Sequence, residues 1–595
     1  MVRIQPLRAA PRSLYICQTC RHARPQLPSS SRSSPQQTTR SITRVHVEKI
    51  KRSQEEWRER SDLISSGQAP SMLSRLEERG YINQIVGPRD DLENLLTMRR
   101  IGVYAGIDPT APSMHLGHLI PFMALAFFYI HGYSVHYLLG GFTASIGDPT
   151  GRLTGRAEQS PGLRKTNMAS LHNQLKRFMA SVEKYAERRG YLREWAWRKA
   201  LTNNAAWWSK TTARDFLFVL GRHVRLGPML GRDTVKNRLD GDGMSFSEFS
   251  YPLVQAYDWW HLFQQGVQLQ IGGADQFGNI LTGTELIKSI AKEDHPYQTA
   301  LRDLAATERK SRIRTTNDPF GFTVPLLTTV SGEKFGKSAG NAVWLDESMT
   351  SPFELYQFLL RSADADVEKF LRLLTFVPLE EIKGLMEQHE QDASKRIPHH
   401  KLAKEIVELI HGLGAADKAE AEHRGLYGKA VSVNGILQTV DTQKKESSKG
   451  NGKAGFINPQ VNKHAQPLSR ETTGTPHIQL PRSLVIGQPL SRICWSAGLT
   501  SSKSEAQRLI SAAGLYIGAN ADAKGGMDDA LSFTPAKSAS WDLLERYIID
   551  EKLLILRVGK WKMKIINIVS DTEFAQSGQT CPGWDQKVED APKSS

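Results

Sequence analysis

The sequence predicts an α/β protein built on a parallel sheet, followed by a helical region and a small terminal domain. Three observations predict it. Between residues 71 and about 345, β-rich apolar runs alternate with helical patterns, as they do when strands are joined by crossover helices. From Ser351-Pro352 the periodicity turns helical, with Phe353, Tyr356 and Leu360 on one face, and it stays helical to about 428. A polar stretch, "VDTQKKESSKGNGKAGFINPQ", then separates this region from apolar patterning that resumes near 486.

The elements follow in order. Residues 1–44 hold eight arginines, no lysine and no acid, and the first acid is Glu48. That composition, without a continuous apolar core, is the composition of a mitochondrial transit peptide. Residues 45–70 form a charged extension whose span 45–64 reads as a weakly amphipathic helix. Residues 71–350 form the α/β domain and 351–430 the helical domain. A flexible linker is expected over 431–485, a compact domain over 486–570 and a disordered tail over 571–595. The formal net charge is +15, from 77 basic and 62 acidic residues, and setting aside the eight leader arginines leaves +7. A mildly basic remainder suits a nucleic-acid partner without requiring one. No run reaches the ~18–20 apolar residues of a membrane span, so no membrane partner is expected. Four cysteines are few for 595 residues. Cys17 and Cys20 fall in the leader, and Cys494 and Cys581 stand apart, so neither a metal site nor a disulfide framework is expected.

The candidate chemistry begins at "YAGIDPTAPSMHLGHL", residues 104–119. A strand ends in Asp-Pro-Thr, and a helix follows whose N-terminus faces back to the loop. Helix N-termini attract anions through free N–H groups. Gly117 lets a nucleotide approach closely, and His115 and His118 can each donate to phosphate. "GDPTGRLTGR" sets Asp148 ahead of Arg152 and Arg156. "YPLVQAYD" puts Tyr251, Gln255 and Asp258 on one face of an apolar helix, where buried polar groups need partners. "QIGGADQFGN" follows a strand with a Gly-Gly turn and supplies Gly273, Asp275 and Gln276. "GEKFGKSAG" places Lys334, Lys337 and Ser338 on a Gly-rich, mobile loop.

In this order the blocks resemble the class I aminoacyl-tRNA synthetases, and within them the tyrosyl enzymes of mitochondria, in the fungal type. His115-Leu116-Gly117-His118 matches the HIGH motif, and Lys334-Phe335-Gly336-Lys337-Ser338 matches KMSKS in its KFGKS form. The resemblance covers about 71–428 and 486–568. It implies a Rossmann-like catalytic domain, an α-helical anticodon-binding domain and a small α+β RNA-binding domain. It implies tyrosine activation by ATP, with Mg²⁺ carried on the nucleotide, and transfer to the 3′ end of mitochondrial tRNA-Tyr. Thr110, His115 and His118, with Lys334, Lys337, Arg152 and Arg156, would act on the phosphates; many relatives carry Lys where Arg152 stands. Asp108, Gly117, Gly273, Asp275 and Ser338 would hold the nucleotide. Tyr104 and Asp258 would read the phenol hydroxyl, Asp148, Tyr251 and Gln255 the ammonium, and Gln276 the carboxylate. In the C-terminal block Lys503 and Arg508 are candidate RNA contacts, but Gln507 stands where Arg is usual and a long insertion, about 519–545, follows. The resemblance also implies a homodimer, for which "DFLFVLGRHVRLGPML" is a candidate interface. The segments 45–64 and about 289–316 resemble extra elements of fungal mitochondrial enzymes that bind group I introns, which makes intron RNA a further expected partner.

Three other readings are weaker. A tryptophanyl enzyme is opposed by Tyr104 and Asp258. A small HxGH nucleotidyltransferase would have no use for the helical domain, the KFGKS loop or the RNA-binding tail. A non-catalytic RNA-binding protein on a synthetase scaffold is opposed by the intact His115, His118, Lys334, Lys337 and Asp258.

Overall fold

The computed structural model describes residues 44–150, 159–191, 198–241, 243–293, 317–327, 343–427, 477–518, 533–538, 541–549, 551–559, 562–577 and 579–584. Two compact units divide the chain, one ending at Arg58 and the other beginning at Glu59. Helix α1 (Arg44–Ser65) runs across that division and agrees with the helix expected at 45–64.

The α/β region holds a six-stranded sheet in the order β1-β6-β5-β2-β3-β4. Its strands are β1 (Gln84–Val86), β2 (Gly102–Ile107), β3 (Ser134–Leu139), β4 (Arg198–Asn203), β5 (Val267–Gly273) and β6 (Phe320–Val324). All neighbours pair in parallel except the edge strand β1, which pairs antiparallel with β6. Parallel strands covered on both faces read as continuous apolar runs, and five of the six residues of β2 are buried. The chain runs outward from β2 to β3 and β4 on one side and returns through β5 and β6 on the other. The crevice beyond the carboxyl ends of β2 and β5 is therefore the topological switch point, where open α/β sheets bind ligands.

Around the sheet lie α2 (Met72–Arg79), α3 (Arg89–Met98), α4 (Leu116–Ile130), α5 (Thr143–Ile146), α6 (Pro161–Glu187), α7 (Ala205–Trp208), α8 (Ala213–Asp215), α9 (Leu226–Leu230), α10 (Asp233–Leu239), α11 (Phe246–Phe263) and α12 (Phe277–Glu293). Helix α4 is buried nearly all round from Leu119 to Tyr129, which explains why its sequence shows no polar face.

The helical domain comprises α13 (Pro352–Leu360), α14 (Asp364–Leu374), α15 (Leu379–Gln391), α16 (Ile397–His411) and α17 (Leu413–Tyr427). "SPFE" starts it: Ser351 accepts from the Glu354 N–H, Glu354 answers from its side chain, and Pro352 takes the first turn. Arg79, almost fully buried, donates to the carbonyls of Arg372, Thr375 and Val377. Tyr185 donates to Glu405 at 2.5 Å, Arg189 pairs with Glu405, and Arg188 pairs with Glu408. The end of α6 is thereby tied to the middle of α16.

The C-terminal domain is a five-stranded mixed sheet, β7 (His477–Pro481), β8 (Leu515–Gly518), β9 (Phe533–Pro535), β10 (Leu553–Val558) and β11 (Lys562–Val569), in the order β7-β11-β10-β8-β9. It carries α18 (Leu490–Ser496), α19 (Lys503–Ser511) and α20 (Asp571–Gln576). The pleat divides β10 cleanly: Leu554 and Leu556 enter the domain core, while Leu553 and Ile555 pack with Met563, Ile565 and Phe353 of α13.

Two boundaries differ from the sequence reading. The sheet starts at His477, inside the span assigned to a linker, because "HIQLP" is a short edge strand pairing in parallel with β11 and directly following polar sequence. The span assigned to a disordered tail begins with a helix, capped by Ser570 on Glu573, whose Phe574 is buried, as is Cys581 beyond it. The leader before residue 44, and most of 289–316, lie outside the described residues.

Candidate active site

The HLGH block sits at the junction of β2 and α4. His115 is the N-cap of α4: its Nδ1 accepts from Gly117 N at 3.1 Å, and the His118 Nδ1 accepts from His115 N at 3.2 Å. The rings stack with centroids 3.6 Å apart. A neutral imidazole whose Nδ1 accepts carries its proton on Nε2. The capping box therefore makes both Nε2–H groups donors at a helix N-terminus. Two backbone bonds clasp the loop to a second segment: Leu116 N donates to Val343 O, and Leu345 N to Met114 O, each at 2.9 Å. Trp344 lies edge-on to His115. The chain returning from the KFGKS block thus arrives beside the histidines. Lys334, Lys337 and Ser338, like Arg152 and Arg156, lie outside the described residues. Thr110 lies in the loop between, its carbonyl accepting from Gln159.

At the floor of the crevice a polar network runs through apolar surroundings. Asp108 accepts from Thr143 at 2.6 Å and from Tyr251 at 2.9 Å. Gly140 permits this, since a Cβ there would come within 1.9 Å of an Asp108 oxygen. Asp148 accepts from Gln276 at 2.7 Å, and Asn279 donates to both Gln276 and Gln255. Gly272 and Gly273 bring β5 close to this group: a Cβ would meet Gln276 at the first and Asp275 at the second, each at 2.7 Å.

Asp258 is 2% exposed. Its Oδ1 accepts from the indoles of Trp207 and Trp208, each at 2.7 Å, and its Oδ2 from Asn204 at 2.9 Å. Burial pushes its carboxyl up to about 7, with these three donors pulling the other way. Tyr104, 1% exposed on β2, is held well above the usual phenol range by burial and by the charge of Asp258. Its hydroxyl is buried without a hydrogen-bond partner among the described residues. An orphaned hydroxyl beside a desolvated carboxylate is poised for a ligand that offers one hydroxyl to both.

The structure thus draws Tyr104, Asp108, Asp148, Tyr251, Gln255, Asp258, Gly273, Asp275 and Gln276 to the switch point, and sets His115, Gly117 and His118 at the α4 end. Sequence reasoning missed Thr143, Asn204, Trp207, Trp208 and Asn279. The "NNAAWW" stretch is conspicuous in composition, but nothing local shows that its indoles turn toward a carboxylate fifty residues away. Lys503 and Arg508 are exposed on α19 of the C-terminal domain, with Lys503 4.8 Å over the ring of Trp495.

Comparison with known proteins places this geometry. Residues 97–428 match the model described as tRNA synthetases class I (W and Y), and residues 468–586 match the tyrosyl-tRNA synthetase C-terminal domain. A mitochondrial tyrosine–tRNA ligase of Podospora anserina is 42% identical over 90% of this chain and 80% of its own. That of Saccharomyces cerevisiae is 34% identical over 85% of this chain and 90% of its own. Among solved structures, a C-terminally truncated mitochondrial tyrosyl-tRNA synthetase from Coccidioides posadasii is similar at 49% identity with a TM-score of 0.58, covering 64% of this chain and all of that one. The equivalent from Aspergillus nidulans gives 48% and 0.57 with the same coverage.

Proposed function

Since the chain belongs to the class I aminoacyl-tRNA synthetases, in their tyrosyl branch, we propose that it activates tyrosine with ATP and charges mitochondrial tRNA-Tyr, acting in the mitochondrial matrix. The observation that carries the choice of amino acid is the Tyr104 hydroxyl, buried and unpartnered beside Asp258. A tyrosine phenol would donate to Asp258 and accept from Tyr104. An indole offers no acceptor for that hydroxyl, and a phenyl ring would leave it unpaired and give Asp258 no donor beyond its three internal ones.

The first step needs no general base, because the attacking carboxylate is ionised at neutral pH. The protein's work is positioning and charge stabilisation. Asp148, Tyr251 and Gln255 hold the ammonium, and Gln276 lies by the carboxylate. Asp108 lies by the nucleotide and also fixes the Tyr251 hydroxyl. Gly273 and Asp275 take the ribose. The Nε2–H groups of His115 and His118 donate to the phosphates from the start of α4, with Thr110 beside them and Gly117 giving room. Lys334, Lys337, Ser338, Arg152 and Arg156 supply the remaining donors and positive charge. Among the described residues this end of the crevice offers imidazoles and a helix N-terminus, which suits Mg²⁺ arriving on ATP rather than a protein-held ion. In the second step the tyrosyl group passes to the 3′-terminal ribose, with the helical domain reading the anticodon. Lys503 and Arg508 contact phosphate from the C-terminal domain. Leu217, Phe218, Leu226 and Leu230 are exposed in the stretch proposed for a homodimer interface. The test is ATP–pyrophosphate exchange with each amino acid in turn, followed by charging of mitochondrial tRNA. Exchange with tryptophan in place of tyrosine would refute the reading.

A second role, binding a group I intron core, is favoured by the exposed Lys51, Arg52 and Arg58 of α1. Deleting 45–64 should weaken intron binding and spare tyrosylation. Binding by the intact protein no tighter than to an unrelated structured RNA would end the idea.

A further inference from the structure

The helical domain carries a cluster for which tyrosine activation has no use. Asp364 opens α14, His389 lies in the last turn of α15 and His399 in the first turn of α16. One ligand atom from each lies within 4.8 Å of the others. Asp364 Oδ1 is 3.2 Å from Nε2 of His389 and 3.2 Å from Nε2 of His399. The imidazoles are buried, at 6% and 0% exposed, while Asp364 is 58% exposed and opens the cluster to solvent. Both ring nitrogens of His389, and Nδ1 of His399, are buried without a hydrogen-bond partner among the described residues. Buried polar atoms are almost always satisfied, and of these three it is His389 Nε2 that faces Asp364, where a ligand would engage it.

We propose that Asp364, His389 and His399 bind a divalent first-row transition ion, with Zn²⁺ the best match, leaving a fourth position toward solvent. Two imidazoles and a carboxylate are a zinc ligand set. Bonds of ~2.0–2.1 Å in a tetrahedron give ligand–ligand edges of about 3.3 Å, close to both His–Asp distances. Ligation uses the neutral form of both imidazoles. The competing arrangement is metal-free. In it His399 Nε2 donates to the Ser362 carbonyl at 3.2 Å, and Asp364 faces Arg396 Nη1 at 4.0 Å. In that arrangement His389 has only its 3.2 Å approach to Asp364, with no hydrogen bond among the described residues, whereas an ion engages it directly. Bound there, a single ion joins the ends of three successive helices across their connecting turns.

The test is Co²⁺ titration followed by visible absorption, then displacement by Zn²⁺. The sample is the full chain without an affinity tag, beside His389→Gln, His399→Gln and Asp364→Asn. Cys17→Ser and Cys20→Ser are carried in every sample, so that leader thiolates contribute nothing. The expected result is a tetrahedral cobalt spectrum in the parent that Zn²⁺ removes. Affinity should fall more than ~100-fold in each histidine variant, since losing even an outer partner costs ~10–100-fold. Zn²⁺ should also raise the thermal unfolding temperature of the parent and not that of Asp364→Asn, whose exposed position spares the fold. No cobalt spectrum in the parent, or equal binding by parent and histidine variants, overturns the site.

Discussion

Replacing Tyr104 by Phe should move stability and substrate use in opposite directions. The hydroxyl lies in a fully buried side chain and has no hydrogen-bond partner among the described residues. A buried hydroxyl left unsatisfied costs about 1–3 kcal/mol. Water entering the tyrosine-free crevice offsets part of this, so deletion should stabilise the free protein by about 1 kcal/mol. In the tyrosine complex proposed above the same hydroxyl would donate to the substrate phenol, a neutral bond with a net contribution of about 0.5–1.5 kcal/mol. Its loss should lower kcat/KM for tyrosine by roughly 2- to 13-fold. Phenylalanine makes no such bond, and its use should rise as the hydroxyl it would strand is removed. The assays are thermal unfolding without tyrosine and pyrophosphate exchange with both amino acids. A lower unfolding temperature with unchanged tyrosine kinetics would refute the reasoning, because Tyr104 would then be a packing residue.

The remaining predictions test other parts of the site and its support. His115→Ala and Lys337→Ala should each slow adenylate formation by about 3 kcal/mol of transition-state stabilisation while leaving tyrosine affinity nearly unchanged, read by single-turnover kinetics against equilibrium binding. Asp258 titrates at about 7 in the free protein. If Asp258 reads the phenol in its ionised form, kcat/KM for tyrosine should fall as pH drops from 8 to 6, and a flat profile would exclude it as the phenol reader. Because that folded pKa is raised from 3.8, the group favours the fold most below about pH 4 and loses this effect as pH rises through 7. Asp258→Ala should therefore destabilise more at pH 5 than at pH 8, measured by unfolding temperature, and should erase the preference for tyrosine over phenylalanine. Arg79→Met removes the donor shared by three buried carbonyls and should destabilise by roughly 3 kcal/mol, detected as a lower unfolding temperature.

The parts legible in the sequence were those whose signal is local. The β2–α4 junction announced itself through a strand, a Gly and two histidines within fifteen residues. α11 did so through polar residues at helical spacing on an apolar surface. The start of α13 was written in Ser351, Pro352 and Glu354. What was hidden is long-range. Trp207, Trp208 and Asn204 meet Asp258 only because the chain leaving β4 packs α7 against α11, and no spacing encodes that. β7 is five residues at a sheet edge, too short to stand out beside a polar stretch. His389 and His399 sit on different helices, so they lack the three-to-five-residue spacing by which zinc ligands are read. The leader composition and the KFGKS block concern residues the structure does not describe.

Helix α6 has a mechanical consequence. Near its middle, Gln174 accepts from Met114 N at 2.7 Å and bonds Ser113, gripping the loop that ends in His115. At its far end Tyr185 is fastened to Glu405 of α16. The two grips are eleven residues apart, or about 16 Å along the axis. The helix is thus a stiff lever with one attachment on the loop proposed for adenylation and the other on the bundle proposed to read tRNA. Pivoting it about the Glu405 end by about 4° carries Gln174 sideways by ~1 Å, a displacement of the size that costs ~100-fold in rate when it falls on a positioning group. A tRNA that seats the bundle wrongly would be sensed at the phosphates without touching them.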